Sequence, residues 1–279
     1  MAIPPPLRRP WLAALLLALA GHAAAHDTWF APLPPGPQGE PLLALGTGER
    51  FPQQQTPLDK DLVQASGCQA PGAAAPQAGA PLRWVAYRPE AVVLRPDAPT
   101  SAGTRLSCWL QARPLAIDLD DATVDLYLDE IRAVPAVRAH WAAQRARGVR
   151  WQEQYTKHAR IELAGAVPGA AGQAGQAGGA PALDLQADMP AAPLRAGDLL
   201  RVQLLRDGRP LAGLPLVLRN DLSPLALWQH SDDQGWVSLR LPLAARWLLS
   251  AVDLRPSDTQ ADAWDSHFVS LSIETLARR

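Results

Sequence analysis

The chain has only two cysteines, Cys68 and Cys108, among 279 residues. That is too few for a sulfur-rich zinc site, and in an oxidising compartment an isolated pair reads as one disulfide stapling a loop rich in Ala, Pro and Gly. The competing reading of the pair is soft copper ligation. There is no excess of positive charge, with 26 basic residues against 27 acidic ones. Nothing is therefore built to neutralise a phosphate backbone, and a nucleic-acid partner is excluded. There is no Gly-x-Ser-x-Gly elbow, no phosphate-cradling glycine loop and no His-Glu-x-x-His helix, so no catalytic residue is assigned. The adjacent acids Asp129 and Glu130 read as the solvated face of a helix and not as an acid–base pair. Beyond the first 20 residues no run is apolar enough to span a bilayer, which takes about 20 residues.

What is present begins with a leader. Arg8 and Arg9 give a positive start, the run from Trp11 to Ala20 is short and apolar, and Ala23 and Ala25 occupy the small-residue positions of a cleavage site. Residues 1–25 thus read as a cleavable signal peptide, and the mature protein is expected to begin at His26. Export follows, and without an anchor it fits either the periplasm or the medium. Loss of Arg8 and Arg9 leaves 24 basic residues against 27 acidic ones, a formal charge of −3.

The mature chain divides by pattern into a mainly β protein of two β-sandwich domains. Residues 26–164 read as an N-terminal β-rich domain, with strands at 42–45, 82–87, 91–94, 106–110 and 150–163 separated by Pro, Gly and Asp clusters. Into it is inserted a helical stretch near 121–147: Val124, Tyr127, Leu128, Ile131 and Val134 recur at helical spacing, and Pro135 opens a second helix that Gly148 ends. Residues 165–181, rich in Gly, Ala and Gln, read as a flexible linker. Residues 182–279 read as an immunoglobulin-like β-sandwich, with a tight turn at Asp207-Gly208 joining strand 199–205 to strand 214–218.

Several strings taken together resemble the exported proteins catalogued as domain of unknown function 4198, which overlap with nickel-uptake accessory proteins. They are AHDTWFAP at the cleavage site, GERF at 48–51, VDLYLDEI, YTKHARIEL from Tyr155, and in the second half GRPLAGLPLVL, SDDQGWVSLRLPLAARWLLSAV and AWDSHFVSLSIE. The resemblance covers most of the mature chain in order. It implies a periplasmic accessory of nickel or cobalt uptake, with a membrane metal transporter as partner.

An amino-terminal histidine offers one metal ion its free amine and an imidazole nitrogen, an arrangement that suits Cu(II) and also nickel. His26 is therefore the first candidate ligand, with His267 in WDSHF and His158 in the YTKHARIEL string as partners. Asp27 orients the imidazole or is merely solvated. His230 belongs to a solvated turn and His140 to the outer face of a helix. The expected cofactor is a transition metal ion, copper or nickel with cobalt as a third choice, in a non-enzymatic uptake or delivery role. Two other classes compete: a structural or adhesive module binding a glycan, cell-wall or protein partner, and a copper redox enzyme. The ten tryptophans invite the glycan reading, but Trp29, Trp151, Trp236, Trp247 and Trp264 read as core or half-buried residues.

Overall fold

The computed structural model describes residues 26–69, 81–97, 100–102, 106–163, 166–168, 181–190 and 192–278. The expected leader and most of the expected linker lie outside these residues. In chain order the first half carries β1 (Asp27–Leu33), β2 (Leu42–Gly48), β3 (Thr56–Pro57), β4 (Val63–Gln69), β5 (Leu82–Tyr87), β6 (Val92–Pro96), β7 (Thr100–Ala102), β8 (Leu106–Ala112), β9 (Leu115–Leu119), α1 (Asp121–Glu130), α2 (Pro135–Ala146) and β10 (Trp151–Leu163). The second half carries β11 (Ala166–Pro168), β12 (Leu183–Asp188), β13 (Leu199–Arg206), β14 (Arg209–Pro210), β15 (Pro215–Asn220), β16 (Ser223–His230), β17 (Trp236–Arg240), β18 (Arg246–Pro256) and β19 (Trp264–Glu274). The protein is mainly β, as its alternating runs indicate.

An eight-stranded sheet in the order β16-β15-β18-β19-β10-β8-β4, with β9 added on β10, is the spine of the molecule. It draws strands from both sides of the 165–181 tract, because β10 pairs with β19 in parallel from Glu153↔Trp264 to Ile161↔Ser272. A five-stranded sheet, β1-β2-β6-β5 with β3 on β2, shares one apolar core with β4, β8 and β10 through Phe30, Leu45, Leu94, Leu110 and Ile161. A four-stranded sheet of β12, β13, β14 and β17 shares a second core with β15, β18 and β19 through Leu185, Val202, Leu218, Leu249 and Leu271. Each half of the spine is thus one layer of a two-layer sandwich.

The helices close the end of the spine where β10 and β19 begin. Asp120 caps α1 by accepting from Thr123 N at 2.8 Å, and Pro135 starts α2. Between them and the sheet lies a third core. In it Trp151 stacks on Trp264 at 4.7 Å, and Trp141 and Tyr127 meet Trp151 edge-on. Such pairs contribute roughly 0.5–1.5 kcal/mol each beyond the area they bury. Trp29, Trp151, Trp247 and Trp264 are buried and Trp236 is half-buried. Asp129 and Glu130 are exposed, as the solvated-face reading requires.

One pairing differs from expectation. Asp207 and Gly208 do form a two-residue turn, with φ of 49° and 73°, but the strand that returns beside β13 is only Arg209–Pro210. The chain then crosses to the spine, where β15 pairs with β16 on one side and β18 on the other. A continuously buried run such as Pro215-Leu216-Val217-Leu218 fits a position with neighbours on both edges better than the free arm of a hairpin.

Cys68 and Cys108 face each other across β4 and β8 and form a disulfide that closes 40 residues of chain. With both sulfurs in that bond, thiolate ligation of copper has no donor here. Replacing both cysteines with serine is expected to lower stability by about 2–4 kcal/mol. Urea unfolding midpoints of the oxidised protein and the double variant measure it.

Candidate functional site

β10 is the strand that positions the chemistry. Its 13 residues contain neither Gly nor Pro, and successive side chains leave opposite faces of the spine. His158 leaves toward the four-stranded sheet, and Lys157, one residue earlier, leaves toward β1.

On the first face His158 meets His267 of β19, with Nε2 of the one 3.4 Å from Nδ1 of the other. The register explains the meeting: Val269 is the neighbour of His158 in β19, and His267 is two residues earlier on the same face. His158 is 4% exposed, and its Nδ1 has no hydrogen-bond partner among the described residues. Around the pair lie two ion pairs, one buried and one partly buried. Arg160 holds Asp184 through two nitrogens, at 2.9 and 2.8 Å from Nη2 and 3.1 Å from Nε, and also donates to Ser107 at 2.8 Å. Arg206 holds Asp253, which is the neighbour of His267 in β18. Burial pushes His158 down to about 3, His267 beside it adds to the shift, and Asp184 opposes it. Burial likewise lowers His267, with Arg255 assisting and Asp253, Asp207 and Asp265 opposing. Both rings are therefore neutral at pH 7, the state a metal ligand requires.

On the opposite face lies His26. Its carbonyl accepts a hydrogen bond from Lys157 Nζ at 2.8 Å, and its imidazole Nε2 is 3.1 Å from Glu49 Oε1. The residue is therefore fixed at both its main chain and its ring. Asp27, next in the chain, accepts from Arg219 Nη1 at 2.9 Å and Ser250 Oγ at 3.2 Å. Burial raises its pKa against those partners. Thr28 O accepts from Ser270 Oγ at 2.6 Å. Burial lowers Lys157 to about 8 while Asp27 opposes the shift, so the ammonium stays charged near neutral pH. Asp27, Glu49, Glu130, Arg219, Trp228 and Ser250 line a cavity of about 190 Å³ beside this terminus.

Of the three expected ligands, then, His158 and His267 come together and His26 stands on the other side of the sheet. Among the described residues no three His, Cys, Asp or Glu side chains are grouped to hold a metal ion. The amine of His26 is a peptide nitrogen in the uncleaved chain and becomes a donor only on processing. His140 is exposed, edge-on to Trp264 at 5.2 Å, and His230 ends β16 in solvent. Glu49 and Lys157 were given no role by sequence reasoning. Lys157 carried a usable signal, since it and Lys60 are the only lysines in the chain.

No protein-family model and no curated protein matches the sequence. Among the described residues no helix is long and apolar enough to cross a membrane.

The histidine pair has a direct consequence for acid stability. Below about pH 6.5 an unfolded His158 binds a proton that the folded one refuses until about pH 3, so stability is full above that window and falls as pH drops through it. Between pH 7 and about pH 4 the loss ascribed to this one group is at most about 3 kcal/mol. Urea midpoints at the two pH values measure it as the difference between the native protein and His158→Gln. The raised carboxyls of Asp27 and Glu153 act the opposite way in both proteins and cancel.

Proposed function

We propose that this is an exported, periplasmic transition-metal-binding accessory in which His26, made the first residue by leader cleavage, chelates nickel, copper or cobalt for uptake or delivery. The observation that carries the reading is the double fixing of His26: Lys157 holds its carbonyl while its imidazole faces the Glu49 carboxylate. Amine and imidazole Nδ1 make a two-nitrogen chelate, which suits borderline divalent ions, and Glu49 at Nε2 orients the ring from its far side. Because the carbonyl is occupied by an ammonium, it does not compete as a ligand. The resemblance to nickel-uptake accessory proteins supports the delivery role, with a membrane transporter as partner.

The buried pair supports a second reading. Two nitrogens on one tetrahedral ion, each about 2.0–2.1 Å from it, stand about 3.3 Å apart, close to the 3.4 Å between His158 and His267. The two sets lie on opposite faces of the spine, so single substitutions separate them.

The test is a copper and nickel titration of protein exported and cleaved by a cell, its first residue verified by mass spectrometry. We expect a one-to-one complex that is lost in His26→Ala, weakened about tenfold in Glu49→Gln, and unchanged in His267→Ala. Affinity that follows His267 assigns the metal to the buried pair. Affinity indifferent to both histidines removes the metal reading.

A further inference from the structure

Another cavity, of about 220 Å³, opens at the far end of β1, where the five-stranded sheet and the spine meet Met189, Pro193 and Leu194. Its wall is mostly apolar, with Phe30, Ile161, Met189, Leu194 and Ile273 among its residues.

One hydroxyl in that wall stands out. Ser266, Ser270 and Ser272 alternate along β19 on the face turned toward β1. Ser266 Oγ donates to Glu153, and Ser270 Oγ donates to Thr28 O at 2.6 Å. Ser272 is 5% exposed, lines the cavity, and its Oγ has no hydrogen-bond partner among the described residues. A buried hydroxyl without a partner costs roughly 1–3 kcal/mol, and only the cavity offers it one.

The charges at the cavity are unequal. Of the two acids that line it, Glu162 is already engaged, accepting from Ser107 Oγ at 2.7 Å, and Glu274 is exposed at the end of β19. The one guanidinium in the lining, Arg246, is taken up by Asp221, with Nε 2.8 Å from Oδ2. The field across the mouth is therefore negative, and a cation is favoured over an anion of the same shape. The space equals the liquid volume of about seven waters, enough for a ring with a short side chain.

We propose that this cavity is a binding site for a small apolar amine, its hydrocarbon body among the Phe30, Ile161 and Leu194 side chains and its ammonium toward Glu274 and Ser272. The site is independent of the metal reading, and the test uses chelator-treated protein so that failure of one leaves the other untouched.

The probe is 2-phenylethylamine, compared with phenylacetate and ethylbenzene by calorimetry and ligand-observed NMR. We expect saturable one-to-one binding with a dissociation constant on the order of 1 mM, the range open to a ligand of about nine non-hydrogen atoms. The acid and the hydrocarbon should each bind about tenfold more weakly. Glu274→Gln, a surface change that leaves the cores intact, should cost about threefold to tenfold, and Ala31→Phe, which places a ring in the cavity, should abolish binding with the circular dichroism unchanged. The proposal is overturned by non-saturable binding, by equal binding of phenylacetate or ethylbenzene, or by affinity that survives Glu274→Gln unaltered.

Discussion

The parallel pairing of β10 with β19 is the constraint on which the rest depends. Parallel neighbours need a long connection, and here the whole second half of the chain supplies it. The pairing joins strands from the two halves of the sequence into one spine, so each half uses the same sheet as a layer of its own sandwich. It also sets the tryptophan core: Trp264 enters β19 opposite Glu153, which places its ring on Trp151 and brings Ser266 to the Glu153 carboxylate. That carboxylate is buried, and its pKa is raised by burial even though Ser266, Trp151 and Tyr127 all donate to it. A slip of one residue would turn every one of these side chains to the wrong face.

The same register sorts charge onto two faces. Toward the four-stranded sheet, Arg160 with Asp184 and Arg206 with Asp253 are carried into the interior as pairs. Buried pairs of this kind add little net stability, because desolvation offsets their attraction, yet leaving either partner alone is costly. They therefore specify how β12 and β13 sit against β10 and β18 more than they hold them there. The histidine pair lies within this frame, where burial, against the pull of Asp184 and Asp253, keeps both rings uncharged. Toward β1, the bonds from Lys157 and Ser270 go to main-chain carbonyls and those from Arg219 and Ser250 go to Asp27, so the first strand is held by its backbone as much as by its side chains.

Much of the secondary structure was legible because period and punctuation agree in this chain. The helical spacing of Val124, Tyr127 and Leu128 after Asp120, and the stop at Gly148, gave α1 and α2. Alternating or apolar runs gave β2, β5, β6, β8, β10, β13 and β15. Short or weakly buried strands escaped: β9 alternates over only five residues and buries none of them, β16 is exposed along most of its length, and β1 was read as a terminus. The shared spine was invisible for a different reason, since a parallel pairing between residues more than 100 positions apart leaves no local trace. The meeting of His158 with His267 depends on that pairing, so it could be guessed only as two histidines in strands. The separation of His26 from them follows from one bit of parity, the adjacent and opposite side chains of Lys157 and His158, which becomes informative only once the neighbours of β10 are known.

That parity bears on how a terminal histidine acts as a ligand. A free chain end is mobile, and fixing one residue's backbone costs roughly 1–2 kcal/mol before any metal bond forms. Here the cost is met in advance, because Lys157 secures the His26 carbonyl and Arg219 and Ser250 secure Asp27. An ammonium would be a costly neighbour for the proposed cation, but it stands among carboxylates, with Asp27 beside it and Glu49 at the His26 ring. Arg219 is absorbed by Asp27, and Lys157, still charged near neutral pH though its pKa falls to about 8, points at a neutral carbonyl from within the protein. Glu49, more than half exposed, holds the far imidazole nitrogen, Nε2, so that in the proposed site Nδ1 and the amine are the nitrogens left for an ion. The lysine thus fixes the histidine's main chain without occupying either of the nitrogens that would bind.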